Sequence, residues 1–379
     1  MYAVPQNIQP QKQQKQKNEE PMKKTTATTP HDTCDTCDAR RRSFLKLSGL
    51  LGLGAAGAAL LPAEHAEAVL FGRKEYKVAK TRLAMGTFVA MTAIHPSRDE
   101  AEQAMGLAFA EIDRLSRLLS RHDAASPLSR LNETGSLDHA QPEILELVAR
   151  SLFYHRQTGG AFDITVKPLV DLFKERAHTG GAPVEAEVSS VLSRIGSRHI
   201  RFAEGNISFA RQGMGITLDG IAKGYIVDRA SEVLARHGVV NHLINAGGDI
   251  RTSGVAARGR AWTVAIQDPD KGREYPDIVT MGSGAMATSG NYEIYYDREK
   301  MFHHIVDSRT GRSPALSVSV TVIAATVMDA DALATGVFVM PPAQGLAFIN
   351  SQAGCECFLV GKDGGRSRST GWKSAALAG

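Results

Sequence analysis

The stretch MDADALATG, Met328 to Gly336, holds a carboxylate and a hydroxyl four residues apart, at Asp331 and Thr335. On a helix that spacing puts both on one face, one turn apart. Two oxygen donors side by side suit a hard cation such as Mg²⁺. The same spacing also fits an ordinary first helical turn, with the Asp capping the backbone and the Thr facing a neighbour. Residue types alone leave both readings open. Four further stretches carry groups able to act with it: GITLDGIAKGY (215–225), NAGGDIRTSG (245–254), ATSGNYE (287–293) and HHIVDSRTG (303–311).

GITLDGIAKGY reads as a strand end, a turn through Gly220 and a helix start. A glycine turn at a helix N-terminus exposes backbone N–H groups, and the helix dipole favours an anion there. Lys223 in the first turn is a natural phosphate partner; a tight turn with a solvated lysine is the alternative. The stretch lacks both the Walker pattern and the dinucleotide GxGxxG fingerprint, which leaves the familiar nucleotide folds unsupported. In NAGGDI, adjacent glycines after a buried strand allow positive φ and close backbone approach to a ligand, or simply an ordinary strand-ending turn. In HHIVDSRTG, a strand would turn His303 and His304 to opposite sides. Either is a structural histidine or a base working near neutral pH.

Regular elements must position these groups. Thr87 to Ile94 reads as a strand. From Asp99 to Ser120, Ala101, Ala104, Met105, Ala108, Ile112, Leu115 and Leu119 recur at three- and four-residue spacing, an amphipathic helix. Pro142 to Gln157 is a second helix, stopped by Gly159–Gly160, and Lys223 to His237 a third, ended by Gly238. Val239 to Ala246 is a mostly buried strand. Trp262, Val264 and Ile266 alternate, as do Val318, Val320, Val322 and Ala324, which predicts sheet. Cys355 and Cys357, on one face of a short final strand, read as two buried thiols. Strands and helices mix without the alternation of a doubly wound sheet, which argues for an α+β fold without internal repeats.

The chain has 379 residues, 43% hydrophobic and 22% charged, with a formal charge of +4. Residues 69–379 carry 35 Lys/Arg against 33 Asp/Glu. That balance gives no case for nucleic acid as a partner. Residues 1–39 are polar, rich in Gln, Lys, Thr and Pro, and read as a disordered extension. Its lone CxxC, Cys34 and Cys37, has no second ligand pair and is read as metal-free. Residues 40–68 open with RRRSFLKLS, match a twin-arginine export signal at Arg41–Arg42, and continue in an apolar run shorter than the roughly 20 residues of a membrane span. Cleavage is expected after Ala68, with an uncleaved signal acting as membrane anchor as the alternative. Periplasmic residence and use of the twin-arginine export machinery follow from this reading, with residues 69–379 as the mature domain.

Taken in order, MGT (85–87), LSRLN (128–132), FDITVKPL (162–169), GIAKGYIVD (220–228), NAGGDI (245–250), TSGNYE (288–293), HIVDSRTG (304–311) and DADALAT (329–335) resemble the FAD:protein FMN transferase (ApbE) family over nearly all of Leu83–Gly365. The resemblance implies one mixed domain of largely antiparallel sheet packed with helices, of T-fold-like type. It implies binding of FAD and Mg²⁺, cleavage of the FAD pyrophosphate, and transfer of FMN to a threonine of a membrane-associated respiratory electron-transfer protein. The implied metal site is Asp331, Thr335 and the backbone carbonyl of Gly220. Implied flavin contacts are Met85, Asp163, Lys223, Gly248 and Ser289, and His304 matches the base acting on the acceptor threonine. The chain departs from the family at three places: His122 stands where a Tyr is usual against the flavin, Thr217 where many members carry Asp, and Ser308 where Pro follows the HIVD aspartate. An FAD pyrophosphate hydrolase giving FMN and AMP, and a non-catalytic periplasmic flavin-binding protein, are the competing readings.

Overall fold

The computed structural model describes residues 65–71, 75–179, 181–270, 272, 274–291 and 303–375. The polar extension, Cys34 and Cys37, and the Arg41–Arg42 pair lie outside them. Among the described residues no helix is long and apolar enough to cross a membrane.

The centre of the molecule is a nine-stranded antiparallel sheet. Its first three strands, β1 (His65–Phe71), β2 (Glu75–Ala84) and β3 (Thr87–His95), run consecutively from one edge. They continue into β7 (Asn241–Ala246), β8 (Asp249–Ser253), β11 (Gly284–Gly290), β12 (Ser317–Ala324), β13 (Glu356–Gly361) and β14 (Arg366–Arg368). A three-stranded sheet of β4 (Ser136–Leu137), β5 (Ile200–Ala203) and β6 (Asn206–Phe209) and a β9–β10 hairpin (Trp262–Ala265, Ile278–Met281) stand apart from it.

Alternation along the strands feeds two cores, one on each face. Met91, Ala93, Ile244, Val320, Val322 and Leu359 belong to the larger core, shared with the helices. Ile94, Leu243, Ile250, Met286, Phe358 and Val360 pack on the other face with Trp262, Val264 and Trp372. Strand β12 is accordingly buried on both sides apart from half-buried Val318 and Ile323.

Among the described residues there are eight α-helices, most of them packed on the first face. Helix α1 (Arg98–Leu118) starts where the Ser97 hydroxyl accepts the Glu100 N–H, a side-chain cap that satisfies an orphan donor. Helix α2 (Pro127–Thr134) has Pro at its first position and Gly135 in the left-handed region after its end. Helix α3 (Pro142–Gln157) and helix α6 (Ala222–Arg236) match the periodicity of the sequence. Helices α4 (Lys167–Thr179) and α5 (Glu185–Leu192) enclose a small core of Leu169, Val170, Phe173 and Val188 with Val306. Helix α7 (Val327–Val339) is buried along almost its whole length and runs back along β12, capped by Thr326; α8 (Pro342–Asn350) follows it.

Three sequence expectations are corrected. Met214–Leu218 is buried but is no strand. Its bonds go instead to the Asn132 side chain, which spans the Ile216 N–H at 2.7 Å and the Ile216 carbonyl at 3.0 Å, and to the Ile164 carbonyl. Cys355 precedes β13 and is only half-buried, whereas Cys357 is fully buried; both are free thiols. The strand that holds Cys357 is not the last, because β14 pairs with it.

Candidate active site

The chemistry-bearing turns gather at one end of the large sheet. Two hairpin tips lie there. Met85–Gly86 joins β2 to β3 with φ of 52° and 74°, and Gly247–Gly248 joins β7 to β8 with φ of 61° and 99°. Two successive positive φ values make a turn whose twist matches its strands. A methionine in that region is uncommon. The tips touch: a Cβ on Gly247 would fall 2.5 Å from the Thr87 hydroxyl, and one on Gly248 lies 3.7 Å from the Thr288 Cβ. The end of β11 brings Thr288 and Ser289 beside them.

Helices α6 and α7 close the site from the core side. Asp331 is a buried carboxylate on a helix with no polar face, so its charge needs partners. One is the Gly224 N–H, which donates to its Oδ2 at 3.1 Å from the first turn of α6. The α6 dipole adds to that attraction. One turn further along α7, Thr335 places its hydroxyl 3.3 Å from that of Ser289. It also sits 2.8 Å from where a Cβ on Gly220 would be, so the Gly220 backbone comes this close only because it lacks a side chain. Asp331 and Thr335 thus lie one turn apart on α7, with the Ser289 hydroxyl and the Gly220 backbone both against the Thr335 hydroxyl. Among the described residues there is no group of three or more His, Cys, Asp and Glu side chains of the kind that holds zinc. The donors present fit a hard cation.

Lys223 lies in the same first turn of α6, with its ammonium 3.6 Å from buried Asp249 of the NAGGD stretch. Gly220, Lys223, Gly248, Ser289, Thr335 and Met85 are each half-buried, as suits residues lining an open site. His122 lies in an exposed bend beside Arg121, whose guanidinium grips Asp219 at 2.8 Å, next to Gly220.

The HHIVDSRTG segment packs on the last turns of α7. His303 is the structural member of the pair: its Nε2 donates to the Pro314 carbonyl at 2.9 Å, its Nδ1 accepts the Ile305 N–H at 3.3 Å, and its ring meets Phe338 edge-on. His304 is half-buried and turns its ring across that of His303. The Ser308 hydroxyl ties this loop to the Gly160 carbonyl at 3.1 Å, a bond that a proline could not make.

Asp163 is committed to the interior. Its oxygens accept from the Thr165 N–H at 2.8 Å, the Thr165 hydroxyl at 2.6 Å, the Ser197 hydroxyl at 2.8 Å and the Ser197 N–H at 3.3 Å, and His155 pairs with it at 3.2 Å. Burial works against its charge, but the bonds from His155 and Thr165 prevail and hold the carboxyl below the usual range.

Sequence reasoning missed one positioning group, Asp228, the last residue of GIAKGYIVD. From α6 its two oxygens accept the Val327 and Met328 N–H groups at 3.1 and 2.9 Å, capping α7 from outside. Burial pushes its pKa up to about 6 despite those bonds and Arg251 at 3.6 Å. Its spacing of five from Lys223 was visible, but its partner, a helix end a hundred residues on, was not.

Residues 85–359 match the model of the ApbE family. An FAD:protein FMN transferase of Vibrio cholerae is 34% identical over 249 residues, 62% of this chain and 74% of the relative. One of Escherichia coli is 29% identical over 265 residues, 67% and 75% respectively. Among solved structures, the ApbE protein of Thermotoga maritima aligns with a TM-score of 0.71 at 28% identity, over 78% of this chain and 97% of that one. The flavin transferase ApbE of Vibrio cholerae aligns with a TM-score of 0.67 at 26% identity, over 82% and 98%.

Proposed function

Because this chain belongs to the ApbE family and is an FAD:protein FMN transferase, we propose that it joins FMN to a threonine of a membrane-associated electron-transfer protein with the help of Mg²⁺. The observation that carries the reading is the convergence of the Gly220 backbone on the Thr335 hydroxyl, with Asp331 anchored one turn away by the Gly224 N–H. Asp331, Thr335 and the Gly220 carbonyl would hold the cation. Bound there, Mg²⁺ supplies neutralisation of the pyrophosphate charge.

The rest falls to side chains of the chain itself. The acceptor hydroxyl attacks the phosphorus of the FMN half; the bond from that phosphorus to the bridging oxygen breaks, and AMP departs with the electron pair. Lys223 at the α6 N-terminus faces developing negative charge, and Asp249 beside it aims the ammonium. His304 takes the threonine proton. The hairpin tips at Met85 and Gly248 bring backbone against the flavin, and His122 offers an imidazole to it from the rim. Water in place of threonine would give FMN and AMP, the hydrolase reading, so the acceptor decides between the two.

Export through the twin-arginine route completes the proposal, carried by the RRRSFLKLS stretch. Strand β1 spans His65–Phe71, so processing after Ala68 would take its first four residues, whereas a retained leader would leave it whole.

The test sets Asp331→Ala against His304→Ala. Without Asp331, transfer to protein and slow FAD hydrolysis should fall together, by orders of magnitude. Without His304, FAD affinity should stay near normal while transfer drops about 10² to 10⁴-fold and recovers in part as pH rises. Loss of FAD binding in His304→Ala would make that residue a ligand contact or a structural element and end its assignment as base.

A further inference from the structure

Beside the histidine pair lies a groove that the reaction above does not use. Arg309, Arg312, Leu316, Met340 and Pro341 are among the residues lining about 260 Å³. Pockets that hold whole drug-sized ligands run to about 300–1,000 Å³, so the groove is too small for FAD and suits one or two amino-acid side chains.

The groove shares its wall with the loop that carries His304. Ser313, on that wall, accepts the His303 N–H and donates to the His303 carbonyl, each at 3.0 Å, and Pro314 next to it accepts from the His303 ring. Met340 lies just beyond the helix turn on which His303 packs. A chain lying in the groove therefore lies against the segment that carries His303 and, next to it in sequence, His304.

Its chemistry is mixed. Leu316 is 57% exposed, an apolar side chain facing water at the groove's edge. Arg309 is held by both oxygens of Asp307 and is spoken for. Arg312 is different: its side chain is 70% exposed and its partner Glu185 71% exposed. An ion pair so open to solvent is weak and readily exchanged for another carboxylate.

We propose that this groove receives the acceptor protein's chain beside the acceptor threonine, seating an apolar side chain against Leu316 and Met340 and a carboxylate at Arg312. The inference rests on the transferase reading, which requires that a protein segment deliver a hydroxyl to His304. Arg312 exchanges Glu185 for the incoming carboxylate, whose planar shape matches the guanidinium fork.

The experiment uses FAD, Mg²⁺ and short synthetic peptides with one central threonine in a Gly/Ser background. Each carries one Leu and either one Asp or one Lys, walked along the flanks. Labelling is read as flavin fluorescence on the peptide, AMP release by chromatography, and FAD affinity by quenching. Wild type should favour Asp over Lys at one spacing by about tenfold in kcat/KM, a difference of about 1.4 kcal/mol. Arg312→Glu should reverse that preference. Leu316→Asp should raise KM for every Leu-bearing peptide, and both variants, at exposed positions, should keep FAD affinity and AMP release into water. Equal labelling of Asp and Lys peptides, an unchanged preference in Arg312→Glu, or AMP release with no peptide labelled would each overturn the groove. Absence of both FAD binding and AMP release in wild type would sink the transferase reading itself, and the groove with it.

Discussion

Gly224 is where α6 and α7 meet backbone to backbone, and Gly224→Ala tests how tightly the proposed cation site depends on that contact. In an ordinary helix the change gains about 1 kcal/mol. Here a Cβ would lie 2.4 Å from the Val327 carbonyl oxygen, 2.6 Å from its carbon and 2.7 Å from the Met328 nitrogen. Carbon contacts relax at about 3.5–4.0 Å, so the helices must part by about 1 Å. The clashing atoms are backbone, and the Val327 and Met328 N–H groups are also tied to Asp228. The cost should therefore reach the top of the usual overpacking range, about 3 kcal/mol. Net of the helix gain, about 2 kcal/mol is lost, which lowers Tm by about 4–8 °C at the scale of 150–250-residue domains. The same shift lengthens the Gly224–Asp331 hydrogen bond, and the Mg²⁺ needed for half-maximal FAD turnover should rise by about tenfold or more. Gly220→Ala is the comparison: its Cβ meets only side-chain atoms of Thr335, at 2.8 and 3.1 Å for Oγ1 and Cγ2. Thr335 can rotate away, so Tm should hardly move while the Mg²⁺ requirement rises. Thermal melts and a Mg²⁺ titration read both variants. A Gly224→Ala protein that melts at or above wild type, or a Gly220→Ala protein with a wild-type Mg²⁺ response, refutes the reasoning.

Three further outcomes are expected. His242 is buried between the Ser231 hydroxyl and the Val239 carbonyl, and burial lowers its pKa to about 4. The unfolded chain binds the proton from about pH 6.5 downward and the native one does not, so stability falls with acid, by about 2 kcal/mol between pH 7 and pH 5. Melts of His242→Gln should be flatter over that window, and an unchanged slope would count against the buried neutral ring. Asp163→Asn leaves an amide where Thr165 and Ser197 donate, at about 1–3 kcal/mol for each buried group left unsatisfied. Urea melts should show a loss of about 2–5 kcal/mol, and a loss under 1 kcal/mol would contradict the network. Replacing Arg41 and Arg42 with Lys should hold the protein unprocessed in the cytoplasm, read by fractionation; normal periplasmic accumulation would point to another export route.

Short-range signals were legible in the sequence wherever they were periodic or bounded by Gly and Pro. Pro142 to Gln157 is a helix with those bounds, and DADALAT does place Asp331 and Thr335 one turn apart. What escaped was supplied from far along the chain. Met214–Leu218 has the apolar run of a buried strand, yet the Asn132 side chain and the Ile164 carbonyl stand in for the neighbouring strand. Helices α4 and α5 pack their apolar residues into a small core of their own, completed by Val306 from far along the chain. The Asp163 network joins His155, Thr165 and Ser197, and no local pattern announces a carboxylate shared across that distance. Motif order pointed to the family, whereas hydrogen-bond partners had to be seen.

The strand order has a consequence for time as well as shape. Pairing Ile94 with Asn241 closes a loop of about 150 residues, and it is this junction that sets the Met85 tip against the Gly247 tip. Contacts so distant form late and slowly. The two hairpin tips cannot face each other until that closure is made. Flavin affinity is therefore a property of the finished chain alone, and its onset during refolding should lag behind helix formation, marking the moment at which the fold is complete.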